Sequence, residues 1–213
     1  MSLLGACVLV PPRGVLVRCA AVADVLAAGT PAPAEAERRS AFASPAAARA
    51  FVAGRDLARA LAAELAGVPV PDVVLLGECP RCGAGGHGRP TARYRDASAT
   101  FGAGAELASL SVSRSAGWVA VAAGAPGVRL GLDLVDLDAP AFDADRPGHV
   151  GPAREWARAE ALGKLAGTGL FGEGAAEEPG GVGHDGAVAS WEGWGRPPGT
   201  GRRSALRVYL AAG

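Results

Sequence analysis

The sequence predicts an α/β fold of the mixed α+β kind, in which two helices of similar design are set among short apolar strands. Two observations predict it. Apolar residues recur with helical spacing over 45–66 and 156–166, and short apolar runs bounded by Gly and Pro read as strands. Phe51, Arg55 and Arg59 are spaced i, i+4, i+8, as are Trp156, Glu160 and Lys164, so each set lies along one helix face. Aligning Phe51 with Trp156 sets Leu57 on Leu162 and Arg59 on Lys164, which hints at an internal duplication.

The chain in order supports this reading. Leu3–Val10 and Val15–Val22 are strand-type runs around the Pro11-Pro12-Arg13-Gly14 turn. Thr30–Pro33 breaks the chain before Glu35–Arg39, a short charged helix or, more simply, a solvated surface turn. Ser44 is the expected N-cap of a helix that starts at Pro45 and stops at Gly67. Val73–Leu76 is a buried-type strand, and His87-Gly88-Arg89-Pro90 is a flexible loop presenting a guanidinium. Leu107–Ser115 alternates Leu110 and Val112 with Ser109, Ser111 and Ser113, the pattern of a half-buried strand. Trp118–Ala123 completes a hairpin-like pair, and Pro126-Gly127 turns into Val128–Leu134. After the 156–166 helix, 172–200 is expected to be long loops with one strand at Ala187–Trp191. Leu206–Ala211 is the last strand.

Composition excludes several classes. At 213 residues with 49% hydrophobic content, the chain is long enough for one large domain or two small ones with a real core. Lys+Arg and Asp+Glu both count 21, so no net charge points to nucleic acid. No apolar run approaches a membrane span and no signal-peptide pattern is present, so the expected location is cytoplasmic with no membrane partner. The four cysteines, Cys7, Cys19, Cys79 and Cys82, then read as reduced thiols. Arg is used almost everywhere a base occurs; Lys164 is the single lysine of the chain.

The chemistry concentrates in Leu130–Lys164. An apolar run, Leu130-Gly131-Leu132-Asp133-Leu134-Val135, carries one carboxylate, and the helix at Trp156–Lys164 presents Glu160 and Lys164 on one face. A strand-borne Asp opposite a helical Glu and Lys suits a divalent cation and a phosphate. Cys79-Pro80-Arg81-Cys82 with His87 has zinc-ligand chemistry but lacks a placed fourth ligand. Ser113, Ser115 and the three histidines form no hydrolase constellation, because no G-x-S-x-G elbow is present.

Taken together, these residues resemble the 4′-phosphopantetheinyl transferases of the two-subdomain, surfactin-synthetase-activating type. The family's G-x-D-x-(E/D) strand is similar to Gly131–Val135, and its W-x-x-K-E-A-x-x-K helix to Trp156–Lys164 followed by Gly167-Thr168-Gly169-Leu170. Its S-H-S element resembles Ser113-Arg114-Ser115, and its G-K-P element Gly88-Arg89-Pro90. These matches are in order and cover roughly residues 35–170.

The resemblance implies two similar subdomains related by a pseudo-twofold, each a small antiparallel sheet packed on a long helix. They would span 1–127 and 128–213, the second carrying the metal-site motifs. Coenzyme A would bind between them and give its phosphopantetheine arm to a serine of an apo acyl or peptidyl carrier protein, in polyketide, peptide or fatty-acid synthesis. Asp133 and Glu160 would hold magnesium; Glu160 and Lys164 would be catalytic. Arg49, Arg89, Pro90, Ser113, Arg114 and Lys164 would contact coenzyme A, with Lys164 on the diphosphate and Arg89 and Arg114 on the phosphates of the nucleotide end. The implied form is a monomer, since one chain supplies both halves of the cleft.

The chain also departs from the pattern. Val135 stands where many members carry a second acid, and Asp136 cannot replace it because 133 and 135 share a strand face. Ala159 replaces a lysine, Arg114 replaces a histidine, and the segment before Glu160 is short. Glu155, Asp143 and Asp145 lie in that segment without an assignable role as base. Two other readings stay open: a homologue that binds coenzyme A or carrier protein without turnover, and a zinc-bearing interaction protein using Cys79, Cys82 and His87.

Overall fold

The computed structural model describes residues 14–28, 42, 44–78, 88–96, 102, 104–136, 153–167, 187–195 and 204–212. Strand β1 (Val15–Ala21) passes directly into helix α1 (Val22–Ala28). The strand expected to include Val22 therefore stops one residue early. The reason is periodicity: Val22, Val25 and Leu26 recur at i, i+3, i+4 and pack together into the first core.

Helix α2 (Pro45–Ala66) begins and ends as its sequence predicts. Ser44 Oγ accepts the Ala47 N–H at 3.4 Å, Pro45 occupies the first turn, and Gly67 closes the helix in the left-handed region at φ 67°. Its inner face is made of small and apolar residues, among them Ala53, Leu57, Ala58, Leu61 and Ala62. That face lies on a sheet of β2 (Val73–Glu78), β3 (Arg89–Tyr94), β4 (Glu106–Ser115) and β5 (Trp118–Gly124), with β1 at its far edge. The strand order is β1-β5-β4-β3-β2 and every pair is antiparallel. Leu61, Leu110, Val119 and Val121 are fully buried between helix and sheet, each worth about 1.5–3 kcal/mol.

Three expectations fail here; of the buried-type run Val73–Leu76 only Val73 is buried, and Leu76 is exposed. Arg89-Pro90 is not a loop but the start of β3, paired with Glu78 and Gly77 of β2. Proline is tolerated because the β3–β4 ladder reaches only Thr91–Arg93, leaving Pro90 unpaired on that side. Strand β4 is not half-buried: Ser109, Ser111 and Ser113 are as inaccessible as the leucines. The expected β4–β5 hairpin does form, pairing Ser115 with Trp118 across Ala116 and Gly117, whose φ values of 49° and 78° suit a two-residue turn of primed type.

What covers the serines is a second sheet. Strand β6 (Leu130–Asp136), β7 (Ala187–Gly195) and β8 (Ser204–Ala212) pair antiparallel in the order β6-β8-β7. Strands β7 and β8 extend beyond the ranges expected for them, by four and three residues, since the antiparallel ladder continues through Gly193 and Ser204. Leu130, Leu132 and Leu134 of β6 form a second core with Val15, Ala120 and Ala122 of the first sheet and Leu210 of β8. Helix α3 (Ala153–Ala166) lies on the other face of β6, where Val135 meets Ala153, Ala157 and Ala161. Layers thus run helix, sheet, sheet, helix. No described helix is long and apolar enough to cross a membrane.

The approach of α3 to β6 is set by Gly131. A Cβ there would lie 1.8 Å from the Ala161 carbonyl oxygen and 2.5 Å from the Leu165 nitrogen, both rigid backbone atoms. Gly131→Ala is therefore expected to push α3 away from β6 and cost at least about 3 kcal/mol in chemical denaturation. Gly102→Ala, in open space, is the control and is expected to change stability by under ~1 kcal/mol.

Candidate functional site

Strand alternation sends Gly131, Asp133 and Val135 to the α3 face of β6 and the leucines to the sheet–sheet core. Gly131 allows backbone contact and Val135 seals the N-terminal end of α3. Asp133 lies between them and is 6% exposed. A buried carboxylate needs a cation or donors, because desolvation otherwise favours its neutral form. Both are present. Lys164 Nζ lies 2.7 Å from Asp133 Oδ1, and Ser113 Oγ donates to the same oxygen at 2.7 Å.

Lys164 has further partners. Its ammonium donates to the Leu132 carbonyl at 3.0 Å and lies 3.6 Å from Glu160 Oε1 one turn earlier. Three oxygens from two elements thus surround one cation. The other oxygen of Glu160, Oε2, is inaccessible to solvent and has no hydrogen-bond partner among the described residues. Burial raises the Glu160 pKa above its ordinary value, and the Asp133 carboxylate adds to that; Lys164 acts in the opposite direction. An inaccessible carboxylate oxygen without a donor is the feature a metal ion would satisfy. Two carboxylates and a carbonyl are hard oxygen ligands of the kind magnesium accepts alongside waters and phosphate oxygens. The residues present fit that ion. Among the described residues no group of three or more His, Cys, Asp and Glu side chains converges.

The serines of β4 form the wall opposite α3. Among the described residues one edge of β6 has no partner strand, and two of its N–H groups are taken up by hydroxyls instead. Leu132 N–H donates to Ser111 Oγ at 2.9 Å and Asp136 N–H to Ser115 Oγ at 3.3 Å. Ser113, between them, turns to Asp133. The alternating hydroxyls were visible in the sequence, but a solvated face and a buried face bonded to another strand share that pattern. Nothing in the sequence marks the Leu132 carbonyl.

Other expected site residues are placed differently. Arg114 lies on the opposite face of β4 from Ser113, with its guanidinium 5.8 Å from the centre of the Phe51 ring, and is exposed. Arg49 is exposed on α2. Neither is brought to Asp133. Arg89 donates to the carbonyls of Lys164 at 2.9 Å and Leu165 at 2.8 Å, caring for two of the helix carbonyls that have no partner within α3. Burial, with Arg129 nearby, lowers its pKa from the guanidinium norm. Arg89 thus grips the backbone that carries Lys164, and Pro90 follows it in the β2–β3 ladder. Arg59, aligned with Lys164 in the sequence, pairs with Asp56 at 2.6 Å inside its own helix. Ala159 and Glu155 are exposed on α3. Cys79, Cys82, His87, Asp143, Asp145, Leu3–Val10, Thr30–Pro33, Glu35–Arg39 and Gly169-Leu170 lie outside the described residues.

No protein-family model matches the chain, and no curated protein matches it.

The cap on α3 makes a prediction. Arg89→Ala is expected to lower stability by about 1–2 kcal/mol, the value of charged hydrogen bonds at a half-exposed position. Arg89→Lys keeps the charge but not the planar Nη2 group that donates to both carbonyls, and is expected to recover at most about half of that in the same denaturation series.

Proposed function

We propose that this protein is a magnesium-dependent transferase that moves the phosphopantetheine arm of coenzyme A onto a serine of an acyl or peptidyl carrier protein. The observation that carries the reading is the meeting of Asp133, Glu160 and Lys164 in one half-enclosed site, with a Glu160 carboxylate oxygen that has no donor among the described residues. These are the residues on which the resemblance to phosphopantetheinyl transferases depends. The arrangement of a sheet with a long helix on its outer face, present twice, supports the two-subdomain, pseudo-twofold form of that family. A monomer acting in the cytoplasm belongs to the same reading.

In this mechanism Asp133 and Glu160 would hold magnesium. Bound there, the ion would neutralise the charge that gathers on the diphosphate as it is attacked. Ser113 fixes the orientation of the Asp133 carboxylate by donating to Oδ1. Lys164 contributes a positive charge to the diphosphate. The carrier serine oxygen forms a new bond to the phosphorus of the arm, its proton passing to solvent. The bond to the other phosphate breaks, and adenosine 3′,5′-bisphosphate leaves. Arg49 and Arg114 lie exposed on the α2 side, where they would meet the nucleotide end.

A second reading, a homologue that binds coenzyme A or the carrier without turnover, is favoured by Val135. Its side chain is 3% exposed against Ala153, Ala157 and Ala161 and offers no ligand.

Incubation with coenzyme A, magnesium and apo carrier proteins is expected to add the mass of one phosphopantetheinyl group to the carrier serine. Glu160→Ala is expected to reduce the rate by at least about 100-fold. Calorimetric binding of coenzyme A with no mass added to any of several carriers would favour the second reading and overturn the first.

A further inference from the structure

We infer that Lys164 occupies the cation site itself in the metal-free protein, so that a divalent cation enters by exchange with its ammonium, which is thereby freed to meet the substrate's diphosphate. The inference rests on the proposed function and concerns how the same site is loaded.

The geometry is that of an occupied cation site. The Lys164 ammonium has Asp133 Oδ1 at 2.7 Å, the Leu132 carbonyl at 3.0 Å and Glu160 Oε1 at 3.6 Å. An Asp–Lys pair at that separation, with Asp133 only 6% exposed, leaves little charge on the carboxylate for a second cation. A divalent ion placed beside an intact pair would face the ammonium across a few ångströms of low-dielectric surroundings. Exchange avoids that repulsion.

The residue type fits the task. Lys164 is the single lysine in a chain that otherwise uses arginine. An ammonium is compact, carries three rotatable donors and sits on a flexible stem, so it fills a pocket of three oxygens and can leave it by stem rotation. A guanidinium is a planar fork and matches two parallel acceptors rather than three converging ones. The backbone beneath the stem stays fixed, because Arg89 holds the Lys164 and Leu165 carbonyls. Movement is thus confined to the side chain. The Leu132 carbonyl, once freed, is a third hard oxygen beside the two carboxylates, and partly makes up for the acid that Val135 lacks.

Exchange makes loading cooperative. Without substrate, each divalent ion that binds must break the Lys164–Asp133 pair and leave the ammonium to solvent. With a diphosphate present, the ammonium has an anion to move to, so ion and substrate strengthen each other's binding by the same factor.

Two measurements without coenzyme A test this. Manganese titration followed by electron paramagnetic resonance is expected to show at least ~10-fold tighter binding to Lys164→Met than to the wild type, because the variant leaves Asp133 without its cation. Equal or weaker binding by a folded variant overturns the inference. For the wild type, labelling lysine with nitrogen-15 places a single side-chain ammonium resonance in the spectrum. Saturating magnesium is expected to shift it or broaden it by exchange with water; a resonance unmoved by magnesium overturns the inference even if Lys164→Met fails to fold. Neither measurement depends on transfer, so loss of the transferase reading with tighter manganese binding in Lys164→Met, or the reverse, separates the two claims.

Discussion

The contact of α3 with β6 is the constraint on which the site depends. Gly131 lets the strand approach the helix backbone so closely that no side chain fits between them. The distance between the two elements then decides whether a lysine stem on α3 can reach a carboxylate on β6. With the elements this close, Lys164 reaches Asp133 and also the Leu132 carbonyl. One glycine therefore determines the geometry of three charged groups. Ala157 and Ala161, both fully buried, keep the helix side of the contact equally thin.

The other side of β6 is fixed by β4. Leucines 130, 132 and 134 pack on Ala120 and Ala122, which gives attraction without direction. Direction comes from the hydroxyls of Ser111 and Ser115, which accept N–H groups from the open edge of β6. Ser113 adds a bond to Asp133. A shift of β6 along β4 would break these bonds and bury unpaired N–H groups, at a cost of about 1–3 kcal/mol for each. Arg89 completes the frame by joining β3 to the C-terminal end of α3. The site is thus held by the larger sheet as much as by the strand and helix that carry its charges.

Sequence pattern revealed the elements better than their neighbours. The caps of α2 were legible because Ser44, Pro45 and Gly67 act locally. The β4–β5 hairpin was legible for the same reason, and the meeting of Asp133 with Lys164 from the opposite charges their two elements carry. Other long-range partners were not. Ser109, Ser111 and Ser113 suggested a wet face because hydroxyl alternation does not say whether water or another strand supplies the hydrogen bonds. Arg89 suggested a phosphate ligand, since a guanidinium recognises carbonyls at a helix end and phosphate oxygens by the same donors. Arg114 fell on the far face of β4 from Ser113, which alternation predicts for any adjacent pair on a strand. The resemblance gave neighbouring residues a common role that the strand geometry separates.

In the function proposed, Asp133, Glu160 and Lys164 form one cation site shared between an ammonium and a metal ion. A crystal structure with magnesium and coenzyme A tests it most directly. One magnesium ion is expected, bound by both Asp133 and Glu160, with the Lys164 ammonium moved off Asp133 and onto a diphosphate oxygen. Magnesium bound elsewhere, with Lys164 still paired to Asp133, would contradict it.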